Sequence, residues 1–209
     1  MQVLPVINVH SAEEAEKKIK QASEFCDLLH IDIEDGVFIP RSNWGSPEEL
    51  KKIAGTIKFE VHLMVANPEA AIDAWLRTGI VKRIIVHLEA MTDSVYILEK
   101  CKKYGVEAML AVNPGTDAER LYAHKDDFRY FQVLAVQPGP SGQKFDAQIP
   151  DKIRLIKAKM PDAIIEVDGG VNENTGVLAK EAGAEILVSD SHIFNSANPK
   201  EAFQKLKNL

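Results

Sequence analysis

The chain has 209 residues, enough for one larger domain, and its 45% hydrophobic and 27% charged composition suits a globular protein with a self-sufficient core. A net charge of −6 with no Lys/Arg cluster argues against nucleic acid and anionic membrane as partners. No apolar run approaches the roughly 18 residues of a membrane span, the start Met1-Gln-Val-Leu-Pro5 lacks the basic region of a signal peptide, and the two distant cysteines, Cys26 and Cys101, read as free thiols of a reducing cytoplasm.

Taken in order, the chain alternates strand-like and helix-like stretches. Val3 to Val9 is a strand-like run, and Ser11-Ala-Glu-Glu14 caps a helix that extends to about Phe25. Leu28 to Glu34 is a second strand, and Ser46-Pro47-Glu48-Glu49 opens a second helix. Ile57 to Met64 is a third strand, followed by a helix from Asn67-Pro68-Glu69 to about Thr78. Val81 to Leu88 is the fourth, and the helix after it runs through Lys103 to a C-cap at Gly105. Val106 to Val112 is the fifth, with Asn113-Pro114-Gly115-Thr116 turning into a short helix. Tyr130 to Val136 is the sixth; a Pro- and Gly-rich loop, Gln137 to Phe145, leads to a helix over Pro150–Met160. Ala163 to Val167 is the seventh, and Asp168-Gly-Gly-Val-Asn172 opens a helix that ends at Gly183. Glu185 to Ser189 is the eighth, and Pro199 to Leu206 the closing helix.

About eight strand–helix units in one domain spanning residues 1–209, with no linker, predict a compact (β/α)8 barrel in preference to an open doubly wound sheet. Active sites of such barrels form at the C-terminal ends of the strands. Those ends here supply Asn8, His30, Asp32, Glu34, His62, Met64, His87, Glu89, Asn113, Gln137 and Asp168. Within Leu28–Glu34, a period of two puts His30, Asp32 and Glu34 on one face and Leu29, Ile31 and Ile33 on the other. A surface strand would leave that polar face in water; a barrel strand would turn it inward. Aimed at one mouth, His30, Asp32, His62 and Asp168 make a mixed nitrogen and oxygen site for one divalent ion such as Zn²⁺, Fe²⁺, Mn²⁺ or Co²⁺.

Six stretches carry a family resemblance: His30-Ile-Asp32-Ile-Glu-Asp35-Gly36, Val61-His62-Leu63-Met64, Asn113-Pro114, Pro138-Gly139 with Gly142-Gln143 and Phe145, Val167-Asp168-Gly169-Gly170-Val171-Asn172, and Ser191-His-Ile193-Phe194. Together, in this order over essentially the whole chain, they resemble the ribulose-phosphate 3-epimerases. That resemblance implies a (β/α)8 barrel, a sugar-phosphate substrate, a homo-oligomer and one divalent metal held by His30, Asp32, His62 and Asp168. It further implies Asp32 and Asp168 as the two acid/base groups working through an enediolate. Around the substrate and its phosphate it places Asn8, Glu34, Met64, Gly139, Ser141, Gly142, Gly169, Gly170, Asp190 and Ser191.

Departures from the family pattern gather near the same strand ends. Glu34 and Leu134 stand where methionines are usual, Asn8 or Val9 replaces a serine, Arg41 an asparagine, and Pro140-Ser141 a Phe-Gly pair. Asp190 replaces the glycine of a phosphate-binding Gly-Ser pair, with His192 two residues on. Arg41 or His192 is expected to offset the Asp190 carboxylate if a phosphate binds beside it. Glu34 has three open readings: a further metal ligand, a third acid/base group, or a partner for Arg41. Two alternatives accompany the epimerase reading: a related epimerase or isomerase whose substrate lacks that phosphate, and a non-catalytic barrel that binds metal or sugar. A Schiff-base aldolase is disfavoured, since no lysine falls at a strand end.

Overall fold

Leu28–Glu34 (β2) is buried along both faces, which only a strand covered on two sides can be. Leu29, Ile31 and Ile33 lie under the helical layer, while His30, Asp32 and Glu34 point the opposite way, so the surface-strand alternative fails. The computed structural model describes residues 1–140 and 142–209; Ser141, assigned above to substrate binding, lies outside the described residues.

Among those residues the other strands are β1 (Gln2–Ile7), β3 (Lys58–Met64), β4 (Val81–His87), β5 (Glu107–Val112), β6 (Tyr130–Leu134), β7 (Ile164–Asp168) and β8 (Ile186–Ser189). The helices are α1 (Ala12–Ala22), α2 (Pro47–Ile53), α3 (Pro68–Leu76), α4 (Ser94–Tyr104), α5 (Ile149–Lys159), α6 (Glu173–Ala182), α7 (Ser191–Phe194) and α8 (Pro199–Lys207), with a 3₁₀ helix at Ala118–His124. Strand order runs from β1 to β8 and closes on itself as a parallel barrel, as the repeating strand–helix pattern predicts. The chain parts into two compact units, Val6–Ala108 and Met1–Pro5 with Met109–Leu209. Strand β1 contributes to both: Gln2 to Pro5 pair with β8, and Val6 and Ile7 pair with β2.

Local signals account for most helix starts. Ser11, Ser46 and Asn67 accept the backbone N–H three residues on, satisfying a first-turn donor, and Gly105 and Gly183 end α4 and α6 in the left-handed region. The boundary errors have local causes. β1 stops at Ile7, and the Val9 carbonyl accepts from Trp44 N at 2.9 Å instead of extending the ladder. α1 stops at Ala22, whose carbonyl accepts both Phe25 N and Cys26 N. The four-residue α7 gives too short a pattern to be read from sequence. No helix of the described residues is long and apolar enough to cross a membrane.

Candidate metal and proton-transfer site

Parallel register between β2 and β3 sets Asp32 beside His62, His30 beside Glu60 and Glu34 beside Met64. Neighbours in register share a face, so the unit Val6–Ala108 concentrates its polar side chains. Asp32 Oδ1 lies 3.1 Å from His30 Nε2 and 3.0 Å from His62 Nδ1, with both imidazoles fully buried. The other oxygen, Oδ2, accepts from Asn8 Nδ2 at 3.0 Å. One ligand atom from each of His30, Asp32 and His62 lies within 4.8 Å of the others, a buried mixed donor set that suits a borderline divalent cation. Asn43, which sequence reasoning passed over, fixes the strand end: its Nδ2 donates to the Asp32 carbonyl and its Oδ1 accepts from Glu34 N.

Burial opposes a proton on His30, but hydrogen bonds to Asp32 and Glu60 overcome it and lift the pKa well above the usual imidazole value. Burial likewise favours a neutral Asp32, yet the two imidazoles hold its pKa far below the carboxylate range. Burial dominates at His62, whose pKa is lowered, and at His87, pushed down to about 4. Glu34 is nearly sealed from solvent, which raises its pKa. Its Oε2 sits 3.0 Å from Arg41 Nε, and Arg41 Nη2 also donates to Asn8 Oδ1 at 3.3 Å. Of the three roles open to Glu34, the pairing with Arg41 is present.

Three side chains that the sequence left unassigned join this group. Glu60, fully buried, accepts from His30 Nδ1 at 2.7 Å and pairs with the Arg83 guanidinium, which also donates to Glu107 at 3.0 Å. His87 Nε2 stands 2.8 Å from His62 Nε2, and its Nδ1 is 3.2 Å from Glu89 Oε2. The period-two signal held a clue to Glu60, two residues before His62 on the same face. A charge within an apolar strand, however, does not name its partner.

In the second unit, Asp168 ends β7, partly exposed, with Gln132 Nε2 3.5 Å from its Oδ2 and 3.1 Å from Glu166 Oε1. The backbone then turns through Gly169 and Gly170, at φ +105° and +65°. A Cβ on Gly169 would meet Val136 Cγ2 at 2.4 Å, and one on Gly170 would meet Phe145 N at 2.6 Å, so close approach as well as handedness requires glycine. Asn172 and Thr175 close a capping box at the start of α6. Gly139 and Gly142 also have positive φ, and Gln143 Nε2 donates to the Gln137 and Pro140 carbonyls across that loop. Asp190 and Ser191 begin α7, where His192 faces Glu173 at 3.9 Å. Met64 is buried.

Comparison with known proteins fits this geometry. Residues 2–194 match the model of the Ribulose-phosphate 3 epimerase family. The chain is 37% identical to the ribulose-phosphate 3-epimerase of Chlamydia muridarum over 84% of this chain and 80% of the relative. It is 34% identical to that of Methanocaldococcus jannaschii over 91% and 83%, and 32% identical to that of Bacillus subtilis over 87% and 86%. A crystal structure of 3-hexulose-6-phosphate synthase superposes with a TM-score of 0.74 at 16% identity, covering 100% of this chain and 99% of the other. Orotidine 5′-phosphate decarboxylase from Pyrococcus horikoshii OT3 gives 0.70 at 15%, covering 100% and 98%. At such identities the two structures speak for the barrel alone. By the family match and these relatives, the chain belongs to the ribulose-phosphate 3-epimerase family.

Proposed function

We propose that the chain is a metal-dependent ketose-phosphate 3-epimerase that interconverts ribulose 5-phosphate and xylulose 5-phosphate by two-base proton transfer. Membership of the family makes it an isomerase of the sugar-phosphate epimerase class. The observation that carries the finer reading is the Asp32 carboxylate, held between two fully buried imidazoles at the end of β2.

Asp168 is assigned as the fourth donor. In support, it ends β7, and active sites of such barrels form at the C-terminal ends of the strands. A cation bound there supplies positive charge against the negative charge that develops when the substrate loses its proton. Inverting a carbon next to a ketone needs a base on one face of the planar enediolate and an acid on the other. Asp32 and Asp168 take those roles. Asp32 works through Oδ2, because Oδ1 is turned to the imidazoles, and Asn8 Nδ2 orients Oδ2 from 3.0 Å. The low pKa of Asp32 keeps it ionised. The backbone N–H groups around Gly169 and Gly170, with Gly139, Gly142, Asp190 and Ser191, are assigned to the phosphate end, and Met64 and Glu34 to the sugar.

Asp32→Asn and Asp168→Asn test the roles. Each is expected to lower turnover of ribulose 5-phosphate by at least about 10³-fold with circular dichroism unchanged, since general acid–base catalysis contributes on that order. Turnover within tenfold of wild type in either variant would remove that carboxylate from the mechanism.

A further inference from the structure

The hydrogen-bonded string through β2, β3 and β4 determines where the imidazole protons sit. Glu60 is a carboxylate paired with Arg83 and accepts only, so the 2.7 Å contact requires His30 to donate from Nδ1. In a neutral ring that leaves Nε2, the nitrogen facing Asp32, as a lone pair. At the other end, Glu89 accepts from His87 Nδ1, leaving His87 Nε2 as a lone pair. His62 Nε2 must then donate across the 2.8 Å contact, which leaves His62 Nδ1 as a lone pair facing Asp32. The reverse arrangement would set a bare His87 Nδ1 against the Glu89 carboxylate. With a cation in place of the protons that Asp32 draws onto these rings, both lone pairs and Asp32 Oδ1, about 3 Å from each nitrogen, would face it, each outward nitrogen being committed elsewhere.

We propose that Glu60 and His87 are positioning residues that lock His30 and His62 in opposite tautomers, with Arg83 and Glu89 anchoring the two ends. The lock presents Nε2 of one ring and Nδ1 of the other as ready cation donors. Outer partners of this kind orient metal-binding imidazoles and make them more basic. The inference rests on reading this group as a cation site.

The test is Zn²⁺ affinity, measured by competition with a chromophoric chelator for wild type, Glu60→Gln, His87→Phe and His87→Gln, together with ¹⁵N NMR of the imidazoles in the Zn²⁺-loaded wild type. His87→Phe is expected to bind Zn²⁺ about 10- to 100-fold more weakly, and Glu60→Gln, which keeps an acceptor for His30 Nδ1 but loses the charge, toward the lower end of that range. His87→Gln should recover part of the loss, because its amide oxygen can accept from His62 Nε2–H. The spectra should show the proton of His30 on Nδ1 and that of His62 on Nε2. No Zn²⁺ uptake by the wild type would overturn the cation-site reading and this inference with it. Uptake by the wild type with equal affinity in both Glu60→Gln and His87→Phe would overturn the lock alone. So would a His62 proton on Nδ1, a readout that holds even if a variant fails to fold.

Discussion

Strands β2, β3 and β4 bury His30, Asp32, Glu34, Glu60, His62, Arg83 and His87, whereas β6, β7 and β8 bury only Gln132, Glu166 and Ser189 among their described polar side chains. The second unit relies instead on backbone: Gly169 and Gly170 in the left-handed region, and a capping box at the start of α6. Buried charge is costly unless every group is paired, so the first unit gains placement of its donors at the expense of tolerance to substitution. A glycine turn offers N–H groups with no charge to desolvate, and its sensitivity is steric.

The contrast is broken most severely at Arg83. Arg83→Met leaves the buried Glu60 carboxylate without its guanidinium and is expected to cost about 3–5 kcal/mol in chemical denaturation. Adding Glu60→Leu should return most of that stability, since an apolar pair can replace a buried ion pair, without restoring Zn²⁺ affinity. If the single variant lost under 1 kcal/mol, buried charge would not be what makes the first unit intolerant.

Next in size is a pair of glycines with the same φ of +65° and different surroundings. Gly170→Ala pushes a Cβ against Phe145 backbone and is expected to cost roughly 2–4 kcal/mol, while Gly105→Ala meets nothing within 4 Å and should cost about 1 kcal/mol from handedness alone. Equal thermal shifts for the two would show that close packing adds nothing at the Gly169–Gly170 turn.

The smallest effect lies at an exposed-edge carboxylate of the first unit. Glu69 accepts from Thr92 N at 2.7 Å and Asp93 N at 2.9 Å; burial opposes the charge, but these bonds prevail and lower its pKa. A depressed folded-state pKa means stability that is complete above the unfolded value and lost as pH falls through the folded one. Glu69→Gln should therefore cost about 1 kcal/mol at pH 7, with the gap to wild type closing below about pH 4. A pH-independent gap would assign the loss to shape rather than charge.

Legibility from sequence follows the same division. Periodicity marked β2 and its inward His30, Asp32 and Glu34, and cap chemistry marked Ser11, Ser46, Asn67, Gly105 and Gly183, because each signal lies within a few residues. Glu60, Arg83, His87 and Asn43 were visible as residues, but their roles depend on register between strands about 25 residues apart, which no local pattern encodes. Arg41 was read as a possible counter-ion to Asp190 and as a partner for Glu34; the Glu34 pairing is made through the folded loop after β2, which no local pattern encodes.

Hydrogen exchange at the reacting carbon tests the central claim most directly. Protein loaded with Zn²⁺ or Mn²⁺ is incubated with D-ribulose 5-phosphate in D₂O, and the C3 proton is followed by NMR with and without a chelator. Two-base epimerisation predicts loss of the C3 signal as xylulose 5-phosphate appears, both abolished by chelation. Retention of the C3 proton by protein shown to hold its metal would contradict the assignment to ribulose 5-phosphate and direct attention to substrates lacking a phosphate near Asp190.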